Sequence, residues 1–141
     1  MESKIINQNP KIIMFACEKW GYAAADLTGT CRKQYSSDIY IIRVKCTGRV
    51  SLDIIIESLL NGADGVAIVG WHEHECEFGD GNMNTYKHIK FLKKLFKHIG
   101  ISENRVEYYF VSAAEVENFL NATTDIIDKI TKLPPLPKKS E

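Results

Sequence analysis

The chain has 141 residues, 45% of them hydrophobic and 26% charged, a composition typical of a single globular domain. A domain of this size buries about two-thirds of the surface of its unfolded chain, so it can fold without disulfides or structural metals. Eighteen Lys and Arg residues balance eighteen Asp and Glu residues, and this neutral balance disfavours a dedicated nucleic-acid binder.

Strand-like and helix-like segments alternate through the first half of the chain. Residues 11–17 are almost all apolar and predict a strand that is buried on both faces. Residues 23–35 predict a weak helix that a glycine interrupts. The β-branched run at residues 39–46 predicts a second strand. Residues 51–61 predict a second helix, with Ser51 as its N-cap.

The same alternation continues in the second half. Residues 64–71 predict a third strand, and residues 72–82 form a polar, glycine-containing loop. An amphipathic pattern over residues 84–98 predicts a long third helix. Residues 105–111 and 114–132 predict a fourth strand and a fourth helix.

The domain organisation is simple, with one α/β domain at residues 11–133 and no internal repeat. Residues 1–10 form a polar segment without the apolar core of a signal peptide, and no apolar run could span a bilayer. We therefore expect a cytoplasmic protein with reduced thiols and no membrane partner. Residues 134–141 form a Pro-rich extended tail, and we expect the apolar part of this tail to lie in the groove of a partner.

Strands that alternate with helices predict parallel β-α-β units with right-handed crossovers. The expected product is a small doubly wound, flavodoxin-like parallel sheet of order 2-1-3-4, with helices on both faces. In such folds, ligands bind beyond the carboxyl ends of the strands, where the strand order reverses.

Three cysteines follow three neighbouring strands of this predicted sheet. Cys17 ends the first strand, Cys46 ends the second, and Cys76 lies shortly after the third. The predicted order therefore brings all three thiols to one edge of the sheet, where they suit an iron–sulfur cluster or zinc. Cys31 is expected about 12 Å below that edge, along the first helix, either as a small buried hydrophobe or as a further ligand.

Zinc is an alternative occupant of this edge. His72, His74 and Cys76 alternate along the loop after the third strand, and zinc accepts both residue types. However, the spacing is not that of a zinc finger or a metalloprotease, and glutamates separate the three residues. The loop is also explained as a flexible segment that closes over a site.

Other motifs argue against a catalyst that acts alone. The first strand is not followed by the glycine pattern of a dinucleotide site, and neither a phosphate-binding loop nor a serine nucleophile motif is present. The histidines have no spacing that suggests a catalytic triad. We expect a non-catalytic subunit of a larger enzyme.

The third predicted helix carries a stripe of lysines. It is expected to be a solvated face or a docking site for an acidic partner. Its members are Lys87, Lys90, Lys94 and Lys97. The opposite, apolar face is predicted to comprise Ile89, Leu92, Leu95, Phe96 and Ile99.

Short motifs spread over residues 10–133 carry a resemblance to a known family. They are Phe15–Cys17, Tyr22–Asp26, Thr28-Gly29, Arg32, Gln34-Tyr35, Ile42–Arg49, Gly62–Val66 and the loop with His72, Cys76 and Gly81-Asn82. In these residues the chain resembles the delta subunit of the methyl-viologen-reducing, F420-non-reducing hydrogenase. The resemblance implies a small adaptor protein that carries a [2Fe–2S] cluster. Such an adaptor is expected to relay electrons between a hydrogenase, or another electron-donating module, and the flavin-containing subunit of heterodisulfide reductase.

The resemblance also implies which residues hold the cluster. The family pattern has five cysteines, and Cys17, Cys46 and Cys76 match three of them. Trp20 and Trp71 stand at the other two positions, and tryptophan cannot ligate iron. Cys31 is a weak candidate for a substitute fourth ligand.

Two explanations of the tryptophans remain open from the sequence. In the first, the protein has lost its cluster and survives as a structural adaptor in the same type of complex. In the second, both codons are UGA and encode another residue, such as selenocysteine. Reading UGG at both codons would exclude the second explanation.

Overall fold

The computed structural model describes residues 5–72 and 79–137. Within these ranges, strands and helices alternate as predicted. The strands are β1 (Ile12–Cys17), β2 (Ile39–Val44), β3 (Gly65–Gly70) and β4 (Val106–Phe110). The α-helices are α1 (Gly21–Thr30), α2 (Leu52–Leu60), α3 (Gly81–Ile99) and α4 (Val116–Thr131).

The strands form one parallel sheet of order β2-β1-β3-β4, which confirms the predicted α/β fold and strand order. In its register, Ile12 lies opposite Ile39 on one side and Gly65 on the other. Every residue of the central strand β3 is buried, because helices cover both faces of the sheet. The parallel arrangement places the carboxyl ends of β1, β2 and β3 at one edge.

Alternate strand residues enter two separate hydrophobic cores, since successive side chains point to opposite faces of a sheet. Met14 and Ala67 belong to the core on the side of α1 and α4, whereas Phe15 and Ile68 belong to the core on the side of α2 and α3. The helices contribute Ala24, Phe119 and Ile126 to the first core and Ile55, Ile89 and Leu92 to the second. Apolar burial on both faces therefore stabilises the fold.

The helix ends follow from local chemistry. Ser51 caps α2 as predicted, because its hydroxyl accepts the Ile54 N–H at 3.4 Å. α1 is shorter at its C-terminal end than the sequence predicts, because Arg32 adopts a left-handed backbone with φ 56° just after it. α3 ends at Gly100, whose φ of 83° is the usual glycine stop. None of the described helices combines the length and apolar character that crossing a membrane requires.

The apolar face assigned to α3 is wrong at two positions. Ile89, Leu92 and Phe96 are buried as predicted, but Leu95 and Ile99 are exposed to solvent. The neighbouring sheet and α2 cover only part of the helix circumference, and these two side chains lie outside that arc. The lysine stripe is exposed as expected.

The segment after α4 packs on its own domain, which corrects the expectation that it lies in a partner's groove. Leu133 packs against the core beside α4, and Leu136 packs against the core beside α2. The buried guanidinium of Arg105 donates to the carbonyl oxygens of Pro134 and, at 2.8 Å, Asp64. The segment therefore crosses beneath the amino ends of the strands from one core to the other.

Candidate functional site

Two of the predicted site cysteines lie side by side at the carboxyl edge of the sheet. Cys17 is the last residue of β1 and lies opposite Val44, the last residue of β2. Cys46 follows Val44 by two residues, and both cysteines are buried, with exposed fractions of 6% and 8%. Parallel pairing therefore brings Cys17 and Cys46 together as predicted. Cys76 and His74 lie outside the described residues.

Both thiols contact backbone polar groups. The Gly48 N–H donates to the Cys46 sulfur at 3.4 Å, which caps a short 3₁₀ turn at Thr47–Arg49. The Cys17 thiol donates to the Lys45 carbonyl oxygen at 3.8 Å. An N–H that points at a sulfur stabilises negative charge on it, as in the hydrogen bonds that surround metal-bound thiolates.

The two tryptophans of the chain meet at this same edge. Trp20 is the N-cap of α1, directly after the turn that follows Cys17, and Trp71 follows the last residue of β3. Their ring centroids are 3.0 Å apart with an interplanar angle of 79°. The side chains at positions 20 and 71 therefore contact each other at this edge.

Hydrogen bonds of buried hydroxyl groups stabilise the turn that follows Cys46. The Thr47 hydroxyl lies 3.3 Å from the Tyr108 hydroxyl of β4. The Thr85 hydroxyl of α3 donates to the Thr47 carbonyl oxygen at 2.8 Å. Gly70 leaves room for this arrangement, since a Cβ there would overlap the Tyr108 hydroxyl and lie 2.8 Å from the Thr47 methyl group.

Asn82, at the start of α3, forms hydrogen bonds to the backbone of the two residues that follow β3. Its amide nitrogen donates to the carbonyl oxygens of Trp71 at 3.2 Å and His72 at 2.9 Å. The side chain is almost completely buried, so these bonds stabilise the exit of β3 in a single conformation. Sequence reasoning assigned no contact to Asn82 or Tyr108, because their partners are remote in the chain.

A side-chain hydrogen bond joins the other side of this edge to the start of α4. The His72 ring nitrogen lies 2.8 Å from a Glu115 carboxylate oxygen, and the Ser112 N–H donates to the same oxygen at 2.8 Å. The Ser112 backbone hydrogen bond, followed by the His72 contact, lowers the pKa of Glu115 to about 2. Among residues 5–72 and 79–137, no three His, Cys, Asp or Glu side chains form a group that could hold a metal ion.

Cys31 lies away from the other thiols. It is exposed and follows the last turn of α1, whereas Cys17 lies just before the first turn. A helix of ten residues spans about 15 Å. The structure therefore does not bring Cys31 together with Cys17 and Cys46.

These features define a class of protein: an α/β domain that presents buried thiols from separate loops at the carboxyl edge of a parallel sheet. The family described as methyl-viologen-reducing hydrogenase, delta subunit, matches residues 12–134. The chain belongs to this family.

Relatives of the chain fall into two groups by name. The chain is 37% identical over 133 residues to the vhu iron-sulfur subunit of the F420-non-reducing hydrogenase of Methanocaldococcus jannaschii, and the match covers 94% of this chain and 99% of the relative. It is 39% identical over 131 residues to the protein of the same name from Methanopyrus kandleri, covering 93% and 99%. It is also 35% identical over 130 residues to one subunit of the ferredoxin:CoB-CoM heterodisulfide reductase of Methanosarcina mazei, covering 92% of this chain but 16% of that relative.

The residues of the chain as written do not complete a four-thiolate cluster site. A [2Fe–2S] cluster takes four protein ligands. The described part of the edge supplies the sulfur atoms of Cys17 and Cys46, and Trp20 and Trp71 offer no ligand atom. Cys76 adds a third thiol in the sequence, which still leaves the set one short.

Proposed function

We propose that this chain is the adaptor subunit of an electron-transfer complex, relaying electrons from a hydrogenase or another electron-input module to the flavin-containing subunit of heterodisulfide reductase. One observation carries the proposal: the same domain makes up nearly all of one hydrogenase protein and a 16% segment of a heterodisulfide reductase protein. A domain that is separate in one relative and fused in another supports a partnership between the two enzymes. We expect the complex in the cytoplasm, where thiols stay reduced.

The proposed redox group is a [2Fe–2S] cluster at the carboxyl edge, with Cys17, Cys46 and Cys76 among its ligands. This assignment requires one further cysteine or selenocysteine, at position 20 or 71, encoded by a UGA codon. The contact between the side chains of Trp20 and Trp71 supports it, because it brings both positions together at the edge that carries Cys17 and Cys46. Burial of the two described thiols and the N–H on Cys46 also suit a ligand role.

The second candidate is a cluster-free structural adaptor in the same type of complex. It is the function expected if both codons are UGG, since the edge then lacks the ligands for a cluster. A zinc domain has less support, because the spacing of His72, His74 and Cys76 is not that of a zinc finger or a metalloprotease, and the relatives are named as iron-sulfur subunits. Elemental analysis separates all three functions.

The test begins with the two codons and continues with the protein purified anaerobically from its own source. Iron and sulfide near two atoms each per chain, with visible absorbance, would support the cluster. Cys46→Ser is then expected to abolish the absorbance and leave the far-ultraviolet circular dichroism near native. Cys31→Ser is the matched control and should keep both signals, because Cys31 is exposed at the far end of α1. A colourless, iron-free protein that still joins the complex would overturn electron relay and leave the structural adaptor.

A further inference from the structure

The outer face of α3 concentrates positive charge in a chain that is neutral overall. The helix Gly81–Ile99 contains five lysines and two histidines and has no acidic residue. The whole chain has equal numbers of basic and acidic residues. This helix therefore forms a basic surface in a chain whose positive and negative charges balance overall.

An apolar row runs beside the lysines. Phe91, Leu95 and Ile99 are spaced by four residues, which places them on one side of the helix. Their exposed fractions are 60%, 41% and 59%. Lys87 and Lys94 precede and follow Phe91 by one turn, so the basic and apolar rows are adjacent over about 18 Å.

Within residues 5–72 and 79–137, the two lysines next to the apolar row form no ion pair. Lys93, on the other side of α3, pairs with Glu107 of β4 at 2.5 Å, and Lys90 lies over the Tyr86 ring at 4.6 Å. Neither Lys87 nor Lys94 has an ion-pair partner among the residues that the structure describes. Their charges are available to a second molecule.

We propose that this face of α3 docks an acidic amphipathic helix of a partner protein, with Phe91, Leu95 and Ile99 contacting its apolar side and Lys87 and Lys94 its carboxylates. The inference rests on the proposed role in a complex of several proteins but needs no cluster. Apolar contacts supply affinity in such an interface, and the charges select and orient the partner.

Charge complementarity also decides against the other occupants of this face. A second copy of the chain in a two-fold dimer would place this patch against itself, and since α3 carries five lysines and no acidic residue, the like charges would repel. A membrane surface would attract lysines as well, but the relatives are named as subunits of protein complexes. The groove of about 730 Å³ beside β2, near Tyr40, is lined by both signs of charge, Lys11, Asp53 and Glu57, and therefore indicates no partner chemistry.

The test uses the full chain and the heterodisulfide reductase and hydrogenase subunits encoded in the same genome, mixed anaerobically. The double variant Phe91→Ser/Lys94→Glu removes one residue from each row. Tyr40→Ser/Lys11→Glu is the matched control, since Tyr40 is 56% exposed at a different face and Lys11 is also exposed. We expect the α3 variant to bind at least about tenfold more weakly and the control to bind as the unsubstituted chain does. Affinity of the unsubstituted chain should fall with added salt.

Each further outcome has a defined meaning. Equal binding by the α3 variant and the unsubstituted chain would overturn this inference and leave the proposed function standing. Loss of binding in the control alone would assign the interface to the β2 face and overturn it too. Sedimentation with phosphatidylglycerol vesicles that Lys94→Glu abolishes would identify a membrane surface instead. A full chain that binds neither enzyme would overturn the proposed function and this inference with it.

Discussion

Single residues at the carboxyl edge of the sheet are placed by contacts that leave little free space. The Thr47 and Tyr108 hydroxyls meet beside Gly70. Gly21, the first residue of α1, lies so close to β3 that a Cβ there would be 2.5 Å from the Val69 carbonyl oxygen. Both glycines therefore allow a helix or a side chain to approach β3 closely. This close packing lies at the same edge of the sheet as Cys17 and Cys46.

The packing at Gly70 yields a stability prediction. Gly70→Ala should lower the free energy of unfolding by about 1–3 kcal/mol, because the new methyl group would displace Tyr108 and Thr47. The matched control is Gly29→Ala in α1, where a Cβ meets nothing within 4 Å. That change should stabilise the protein by about 0.5–1 kcal/mol through helix propensity. Urea unfolding measures both, and a neutral Gly70→Ala would show that Tyr108 can move aside freely.

The Glu115 carboxylate predicts how stability depends on pH. Its pKa falls from 4.5 to about 2 in the folded protein, first through the Ser112 N–H and then through His72. A depressed carboxyl pKa stabilises the folded state above pH 4.5 and loses that contribution as pH falls from 4.5 to 2. About a third of the side chain is exposed, so solvent screening limits the effect to about 1 kcal/mol.

The measurement is the unfolding free energy of Glu115→Gln relative to the unsubstituted chain. The variant should be less stable at pH 6, and the difference should shrink as the pH falls from 4.5 towards 2, where the native carboxyl becomes protonated as well. Glu117→Gln is a control on the same helix, because its ion pair with Lys33 is largely exposed. A difference for Glu115→Gln that stays constant with pH would contradict the assigned cause.

At the scale of whole elements, the segment after α4 connects parts of the domain that the sheet separates. Leu133 and Leu136 reach opposite cores, and Arg105, 3% exposed, uses the Pro134 carbonyl oxygen as an acceptor. Prolines keep the segment extended, so its residues reach both cores over a short length. The segment is thus part of the folded unit.

Truncation tests that role. Ending the chain after Lys132 should lower the free energy of unfolding by about 2–4 kcal/mol, because the Leu136 contacts are lost and Arg105 loses an acceptor while buried. Thermal unfolding followed by circular dichroism detects the change. A chain that ends after Pro137 retains every described contact of the segment and should melt as the full chain does. Equal melting of both truncated chains would show that the segment adds nothing to stability.

The part of the molecule that the structure describes has two cores, one on each face of the sheet, and neither includes Cys17 or Cys46. The described site residues lie at strand ends and in the turns after them, beyond the apolar side chains that drive folding. This separation allows residues at the edge to change without loss of the fold.

Removal of any bound metal should therefore leave the fold intact. After treatment with a chelator and a reductant, the protein should keep its helical circular dichroism and unfold in one cooperative transition, with about 5 kcal/mol or more of stability. Differential scanning calorimetry checks this. Loss of the helical signal together with the metal would show that the edge is a structural site instead.

The sequence by itself determined the order of the strands and helices and the edge at which the thiols meet. Continuous apolar runs such as residues 11–17, alternating with helical periods, admit few arrangements other than a parallel sheet covered on both faces. Because parallel strands share their carboxyl edge, the placement of Cys17 and Cys46 at one edge followed from their positions in the chain alone. The Ser51 cap is equally local.

Only the tertiary structure decided the contacts between residues that are remote in the chain. No local pattern links Thr47 with Tyr108, Trp20 with Trp71, or Leu136 with the core beside α2. Helical periodicity likewise could not predict that Leu95 and Ile99 are exposed. Periodicity identifies the apolar side of a helix, but it does not show how much of that side the neighbouring elements cover. Burial is set by the arrangement of all the elements, and that arrangement exists only once the chain has folded.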